Sequence, residues 1–318
     1  MKTYIITGGA GFIGSNLSRR LIGEGNKGYV IDDLSTGLEK NIPKGTIFYD
    51  ADISDMKRLL ELDLPDKIDC IYHFAAQSSG EASFDDPAKD IDLNYKATYN
   101  ILKLADLKGC RRFIFSSSMS VYGEVPEGYG AVSEDFPCNP ASYYGCNKLA
   151  SEKLISVFSK NAGMDYTIFR IFTAYGPGQN MANIRQGMVS IYLSYLLNDS
   201  PIHVKGSLDR FRDFIHIDDI LKAMTKSEGY SATYGKVFNL GSSVKTTVKE
   251  LLEVMLKIYG KDDFKKWVIV KGSTPGDTLG CIADITRLRK ALGWKPEVTL
   301  RKGVASIKNS IEKEALNI

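Results

Sequence analysis

Tyr144 and Lys148 stand four residues apart in Tyr144-Gly145-Cys146-Asn147-Lys148, inside a stretch from Tyr143 to Lys160 that reads at helical period. At that spacing two side chains share one face of a helix, one turn apart. A phenol titrates at about 10 and is a poor base at neutral pH. An ammonium beside it favours the phenolate and lowers that value. Such a phenolate can take the proton of a hydroxyl group while a hydride leaves the same carbon. Ser118 closes the strand-like run Arg112-Phe113-Ile114-Phe115-Ser116-Ser117-Ser118 and could share that hydroxyl. A Tyr and a Lys at this spacing also occur on solvated helices, so the pair takes its meaning from the elements around it.

The first of those elements opens the chain. Tyr4-Ile5-Ile6 is a short apolar run, Thr7-Gly8-Gly9-Ala10-Gly11-Phe12-Ile13-Gly14 follows at once, and Ser15 to Ile22 then reads as a helix. In a strand, glycine turn and helix of this kind, Gly8 allows the sharp turn and Gly11 leaves room for a pyrophosphate against the backbone. Gly14 lets the helix lie close to the strand, and the free N–H groups and positive dipole end of that helix face a diphosphate. An acid about twenty residues on, at the end of the next strand, is the usual partner of a ribose. Tyr29-Val30-Ile31-Asp32-Asp33 supplies it as Asp32. An acid there favours a free 2′-hydroxyl, hence NAD over NADP.

Apolar strand-like runs and helical stretches alternate through the first half: Thr46 to Asp50, a helix near Ser54 to Leu62, Cys70 to Ala76, a long helix from Leu93 to Leu107, Arg112 to Phe115, the Tyr143–Lys160 helix and Tyr166 to Arg170. Such alternation predicts an α/β fold of the Rossmann type, a doubly wound parallel sheet covered by helices on both faces. Ligands in that fold bind beyond the carboxyl ends of the strands. Asp32, Asp52, Ile53, Phe74 to Ala76, Ser116 to Ser118 and Thr173 all fall there. After Ala174 the rhythm changes to the turn-rich Tyr175-Gly176-Pro177-Gly178-Gln179, helical stretches at Gly187–Leu197, Thr247–Tyr259 and Thr286–Leu292, and strand-like runs near 211–242 that return toward the sheet. We expect a dinucleotide-binding domain over residues 1–173 and a smaller, interleaved substrate-binding lobe over 174–318.

Bulk properties narrow the class. Of 318 residues, 43% are hydrophobic and 25% charged, ordinary values for a globular protein. A net charge of +3 gives no argument for nucleic acid or a membrane surface. No apolar run approaches the roughly twenty residues of a membrane span, and the N-terminus enters a strand directly, so we expect a cytoplasmic protein without a signal peptide. Cys70, Cys110, Cys138, Cys146 and Cys281 form no C-x-x-C pair and read as reduced thiols, with no metal site.

Together these motifs resemble the extended short-chain dehydrogenase/reductases, and within them the NAD-dependent nucleotide-sugar epimerase/dehydratase family. The likeness runs nearly end to end through Thr7 to Gly14, Asp32, Asp52-Ile53, His73 to Ala76, Asn94, Phe115 to Ser118 with Val121-Tyr122-Gly123, Tyr144/Lys148, Tyr175-Gly176-Pro177 and Arg212 to His216. It implies NAD held by Gly8, Gly11, Phe12, Ile13, Gly14, Asp32, Asp33, Asp52, Ile53, Phe74, Ala75, Ala76, Asn94, Ser116, Tyr144 and Lys148. It implies a nucleoside-diphosphate sugar in the second lobe, near Ser118, Thr173, Arg212 and Asp277, with Arg212 on the diphosphate. The alternative for Arg212 is a salt bridge to Asp213 or Asp219. The chemistry implied is oxidation at the sugar C4 by Tyr144, Lys148 and Ser118, giving a C4 epimerase that passes through a transient 4-keto sugar. The competing outcome is a C4 dehydrogenase that releases the ketone, and a further one is a non-catalytic NAD-binding regulator.

Departures from the family pattern sharpen this. Dehydratases and decarboxylases of the family carry an acidic residue just after the serine, where this chain has Met119 and Ser120, so redox at C4 without loss of water or CO2 is expected. Thr173 stands where many epimerases have Asn, and Thr274 stands where many have Arg before Pro275-Gly276-Asp277; Lys271 could substitute for that Arg. Ser78 to Glu81 replaces a more hydrophobic stretch, so Glu81 either reshapes the sugar pocket or faces solvent. Tyr143, turned about a hundred degrees from Tyr144 on the helix, and His203 read as structural. The resemblance also implies a homodimer through the two long helices, with Ile101, Leu104 and Leu107 on one and Leu149, Leu154 and Val157 on the other; the alternative is that both stripes cover the sheet.

Overall fold

The computed structural model describes residues 1–183, 187–272 and 279–316. Seven strands form one sheet in which every pair is parallel: Lys236–Leu240, Asp165–Ile171, Arg112–Ser118, Cys70–His73, Thr3–Thr7, Lys27–Asp32 and Ile47–Asp50, in that spatial order. From the central Thr3–Thr7 the chain builds outward to one side through Lys27–Asp32 and Ile47–Asp50. It then crosses back to Cys70–His73 and builds the other side. The reversal lies between Thr3–Thr7 and Cys70–His73, and a crevice at that point is where doubly wound sheets take their ligands.

Strands buried on both faces have no alternation of polar and apolar residues, and Cys70–His73 and Arg112–Ser118 are buried throughout. Neighbouring residues feed opposite layers. Ile6, Tyr72, Ile114 and Phe169 enter the core on one face, while Ile5, Ile71, Phe113 and Ile168 enter the core on the other. Each such side chain, fully buried, contributes about 1.5–3 kcal/mol.

The helices that position the site begin and end on local signals. The Tyr143–Ala162 helix starts at Ser142, whose Oγ accepts from Gly145 N at 3.1 Å, and stops at Gly163 in the left-handed region (φ 61°). The expected long helix at Leu93–Leu107 begins earlier, at Pro87, capped by Asp86, and runs through Asp92–Lys96, wound as a π-helix, into Ala97–Leu107. Single π turns inside helices concentrate at functional sites, and Asn94 sits in this one.

A third core, built from residues such as Tyr192, Leu193, Val248, Leu251 and Met255, lies against two of three small sheets, and the third, Ala131–Val132 with Ile282–Ala283, packs on the first core. Of the two runs near 211–242, Lys236–Leu240 joins the main sheet beside Asp165–Ile171, while Phe211–His216 pairs instead with Thr173–Tyr175 and Lys245–Thr247. The strand-like stretch around His203 is the strand Ile202–Val204; its partner Val268–Val270 and the terminal helix Leu300–Leu316 carry no expectation from the sequence.

Candidate active site

Gly8 has φ 70°, and a Cβ on it would lie 2.6 Å from Ala75 N, so the first strand's turn and the turn after Cys70–His73 meet in space that only glycine leaves open. A Cβ on Gly14 would overlap the Gly8 carbonyl oxygen. A Cβ on Gly11 would meet only Gly8 O, at 3.2 Å, so its missing side chain serves the open side of the loop. The Phe12–Gly23 helix has Gly11 as N-cap and no side-chain cap, so no side chain occupies its first-turn N–H groups. A second element, Asn16, ties this helix to the far lobe by donating to the Pro177 carbonyl at 3.1 Å.

Asp32 is 6% exposed; Oδ2 accepts from Ala10 N and Oδ1 from Leu34 N, each at 2.9 Å. Burial, working against these two bonds, raises its pKa. Asp33 is exposed and accepts from Ser35, and Asp52 is exposed and accepts from Ser54 N at 2.7 Å. Ile53 is buried, and its carbonyl is held by Asn100 Nδ2 at 3.0 Å. Asn100 is a support that no sequence pattern singles out.

Phe74 N and Ala75 N both donate to the Thr7 carbonyl at 3.1 Å and lie 3.2 Å from Thr7 Oγ1. Thr7 Oγ1 lies 2.7 Å from His73 Nδ1, and His73 Nε2 lies 3.1 Å from Thr98 Oγ1. Thr98 donates its own proton to the Asn94 carbonyl at 2.6 Å, so it accepts from His73, and the ring proton sits on Nε2. Burial, then the Lys148 charge, pull His73 down to about 3, so it is neutral at working pH. This chain of bonds sets Asn94, whose Nδ2 donates to Asp90 Oδ1 at 3.0 Å while its buried Oδ1 has no partner. A buried acceptor is rarely left without a donor.

The catalytic helix lies against the end of Arg112–Ser118. A Cβ on Gly145 would stand 2.6 Å from the Ser120 carbonyl oxygen, so this glycine sets how closely Tyr144 approaches Ser118. Lys148 Nζ donates to the Ser116 carbonyl at 3.0 Å, which places the Ser116 backbone at the site. Ser118 Oγ accepts from Ser120 N at 3.1 Å and lies within hydrogen-bonding reach of the Tyr144 phenol. Ser118, Tyr144 and Lys148 are thus brought together as the sequence suggests. In the free chain burial pushes the Tyr144 phenol up to about 12, with the Ser118 hydroxyl acting the other way, and pulls Lys148 down to about 8. Desolvation is the largest cause of both shifts in the free chain.

Behind the pair, Glu152 holds Arg170 through Oε1–Nε at 2.9 Å and Oε2–Nη2 at 2.7 Å and takes the Ser117 hydroxyl at 2.5 Å. Arg170 also donates to Tyr122 Oη and the Glu134 carbonyl, each at 3.1 Å. Met119 packs against the core and Ser120 bonds Ser118, so neither carries a titrating acid.

Thr173 pairs with Phe214, two residues beyond Arg212. Asp213 is fully buried and accepts from Ser242 N, Ser242 Oγ, Ser243 N and Ala283 N; Asp219 accepts from Glu297 N and Val298 N. Neither carboxylate is an ion-pair partner of Arg212. Burial and the neighbouring Arg210 charge pull the Arg212 guanidinium down to about 10. Glu81 forms a 3.5 Å ion pair with Lys205 across the two lobes. Tyr143 packs edge-on against Phe84, and His203 is exposed. Lys271 is exposed, its N donating to the Val204 carbonyl at 2.8 Å, whereas Thr274 and Asp277 lie outside the described residues.

The site is therefore a dinucleotide crevice with a Ser–Tyr–Lys set at its mouth, the arrangement of a short-chain dehydrogenase/reductase. The model of the NAD-dependent epimerase/dehydratase family matches residues 4–241, and the chain belongs to that family. It is 33% identical to a UDP-glucose 4-epimerase of Mycolicibacterium smegmatis, over 96% of each chain. A UDP-glucose 4-epimerase of Thermotoga maritima, solved with UDP-glucose, superposes with a TM-score of 0.91 at 31% identity and covers 98% of this chain and 99% of its own. A Thermus thermophilus UDP-glucose 4-epimerase, solved with NAD, gives 0.87 at 28% identity over 98% and 99%.

The residues present fit NAD. The helix N-terminus has no side-chain cap, Asp32 lies at the end of the second strand, and the buried Asn94 Oδ1 has no donor. No helix among the described residues is long and apolar enough to cross a membrane.

Proposed function

We propose that this NAD-dependent nucleotide-sugar C4 epimerase acts on a UDP-linked hexose, with Tyr144 as the acid and base, Ser118 sharing the C4 hydroxyl and Lys148 setting the charge. The observation that carries the reading is the convergence of Ser118, Tyr144 and Lys148 at the carboxyl end of the strand beside the glycine crevice. The UDP-sugar named in the structure of the Thermotoga relative supports the choice of nucleotide.

NAD, when bound, supplies what the chain lacks: an acceptor that takes and returns the C4 hydrogen, and a positive charge that favours Tyr144 phenolate. Tyr144 holds the O4 proton while the sugar is a ketone and gives it back to O4 when hydrogen returns to either face of C4. Ser118 orients O4 toward Tyr144. Gly8, Gly11, Phe12, Ile13 and Gly14 hold the diphosphate of the cofactor, Asp32 and Asp33 its ribose, Asp52 and Ile53 its base, and Phe74 to Ala76, Asn94 and Ser116 its other half. Arg212, with the Arg210 charge beside it, takes the diphosphate of the sugar nucleotide; Thr173 and Asp277 complete the sugar side, with Lys271 as a further cation. Met119 and Ser120 offer no acid for dehydration or decarboxylation. We place the division between the two domains at residues 173 and 174, with Lys236–Leu240 returned to the first.

We further infer a homodimer. The expected contact stripe changes in detail, because Ile101 and Leu104 turn into the sheet and are buried. The face left exposed carries Ile91, Tyr95 and Tyr99 on one helix and Tyr143 and Val157 on the other, and two such faces would form a four-helix contact.

Incubation of the purified protein with UDP-, GDP-, CDP- and dTDP-hexoses, read by NMR and mass, tests the reading. An isomer formed from a UDP-hexose is expected. A ketone lighter by two hydrogens, or turnover confined to another nucleotide, would overturn it.

A further inference from the structure

Asp90 is 1% exposed, lies on the short Pro87–Ile91 helix and takes no part in the chemistry above. Three side-chain amides meet its carboxylate. Gln77 Nε2 and Asn94 Nδ2 donate to Oδ1 at 2.9 and 3.0 Å, and Asn147 Nδ2 donates to Oδ2 at 2.6 Å. They come from three elements that converge on the site: the loop after Cys70–His73, the π-wound turn and the catalytic helix. Asn147 immediately precedes Lys148. A carboxylate only accepts, so it fixes the orientation of all three amides. Among the described residues no cation pairs with Asp90, whereas the other buried acid facing Lys148, Glu152, is locked to Arg170.

We infer that Asp90 is a positioning residue that pins the catalytic helix to the Asn94 turn and the Gln77 loop through one buried carboxylate, and that sets a negative charge behind the Tyr144–Lys148 pair. The inference rests on the reading of that pair as the acid/base machinery. The groups facing Lys148 are Asp90, Glu152 with its Arg170, Tyr144 and the neutral His73. Asp90 and Glu152 oppose the effect of burial on Lys148, and Asp90 also makes the Tyr144 phenol harder to ionise. Burial raises the pKa of Asp90 itself, against the opposing effect of its three amide donors and of the Lys148 charge. Removing the Asp90 charge therefore lets Lys148 lose its proton at lower pH.

The test is the pH profile of kcat with UDP-galactose and saturating NAD for the wild type and four variants. Asp90→Asn should move the alkaline limb to lower pH by about one unit, the scale of a single nearby charge. Asp90→Glu, which keeps the charge, should leave it in place. Asn147→Ser keeps the carboxylate but drops the pin; kcat should fall about tenfold, with KM and the limb unmoved. A uniform fall in kcat for Asp90→Asn with the limb unmoved would reduce Asp90 to a structural part and overturn the charge. An unchanged kcat in Asn147→Ser would overturn the pin, and this variant carries the test if Asp90→Asn does not fold. Tyr144→Phe separates the two levels. If it is inactive while Asp90→Asn leaves the limb in place, only the present inference fails; if it is active, the reading of the pair fails as well.

Discussion

Lys148 Nζ donates to the carbonyl oxygen of Ser116, two residues before Ser118 on the same strand, at 3.0 Å. One bond thus fixes the catalytic helix against the strand that carries its partner serine. It also keeps the ammonium in a buried place, where desolvation pulls it down to about 8. Lys148 is charged below that pH and loses its charge as pH rises through it. The activity should therefore decline through about pH 8, as the phenolate loses its cationic neighbour. Lys148→Met should abolish that decline, lower turnover and move the remaining profile to higher pH. An alkaline limb that persists in Lys148→Met would assign it to another group.

Asp32 already accepts two backbone N–H bonds, which hold its carboxylate at the end of the second strand. Charge-assisted bonds from ribose hydroxyls to it are worth roughly 1.5–3 kcal/mol. Asp32→Ala should weaken NAD about tenfold or more by isothermal titration. Undiminished affinity, or a native preference for NADP, would refute the role.

The glycine turn and Asp32 were legible because one supersecondary unit contains them all and each glycine answers a local steric demand, as Gly8 does against Ala75. Ser118, Tyr144 and Lys148 were legible because helix period and strand end place them without knowledge of the rest. The direction of the Tyr144 shift was not, since spacing reports a neighbour but not the burial that outweighs it. Asp90 was missed because Asn147 is 57 residues away and amides carry no pattern; only its i,i+4 spacing to Asn94 gave a signal. The Ile101 and Leu104 stripe failed for a related reason. The helix is apolar on two sides, and periodicity cannot say which one the sheet takes.

The Glu152–Arg170 pair is almost fully buried, with side chains 2% and 5% exposed. Arg170→Met would leave a carboxylate without its cation in the core. Unfolding in urea should show a loss of about 3–5 kcal/mol. A change below about 1 kcal/mol, the worth of an exposed ion pair, would refute a structural role for this pair.

Val157 is 63% exposed and Tyr99 46%, on the two helices of the proposed contact. Val157→Lys with Tyr99→Lys should convert a dimer into a monomer by light scattering at micromolar concentration, with little change in the melting of each subunit. A wild-type monomer under those conditions would contradict the assembly.

On the proposed mechanism C4 is oxidised and reduced within one site, and its hydrogen never meets water. UDP-glucose carrying deuterium at C4 tests this most directly. The account predicts UDP-galactose with deuterium still at C4, and at least about 10²-fold slower conversion in Tyr144→Phe, the usual yield of a general acid–base group. Protium at C4 of the product, or a product lighter by one water, would contradict it.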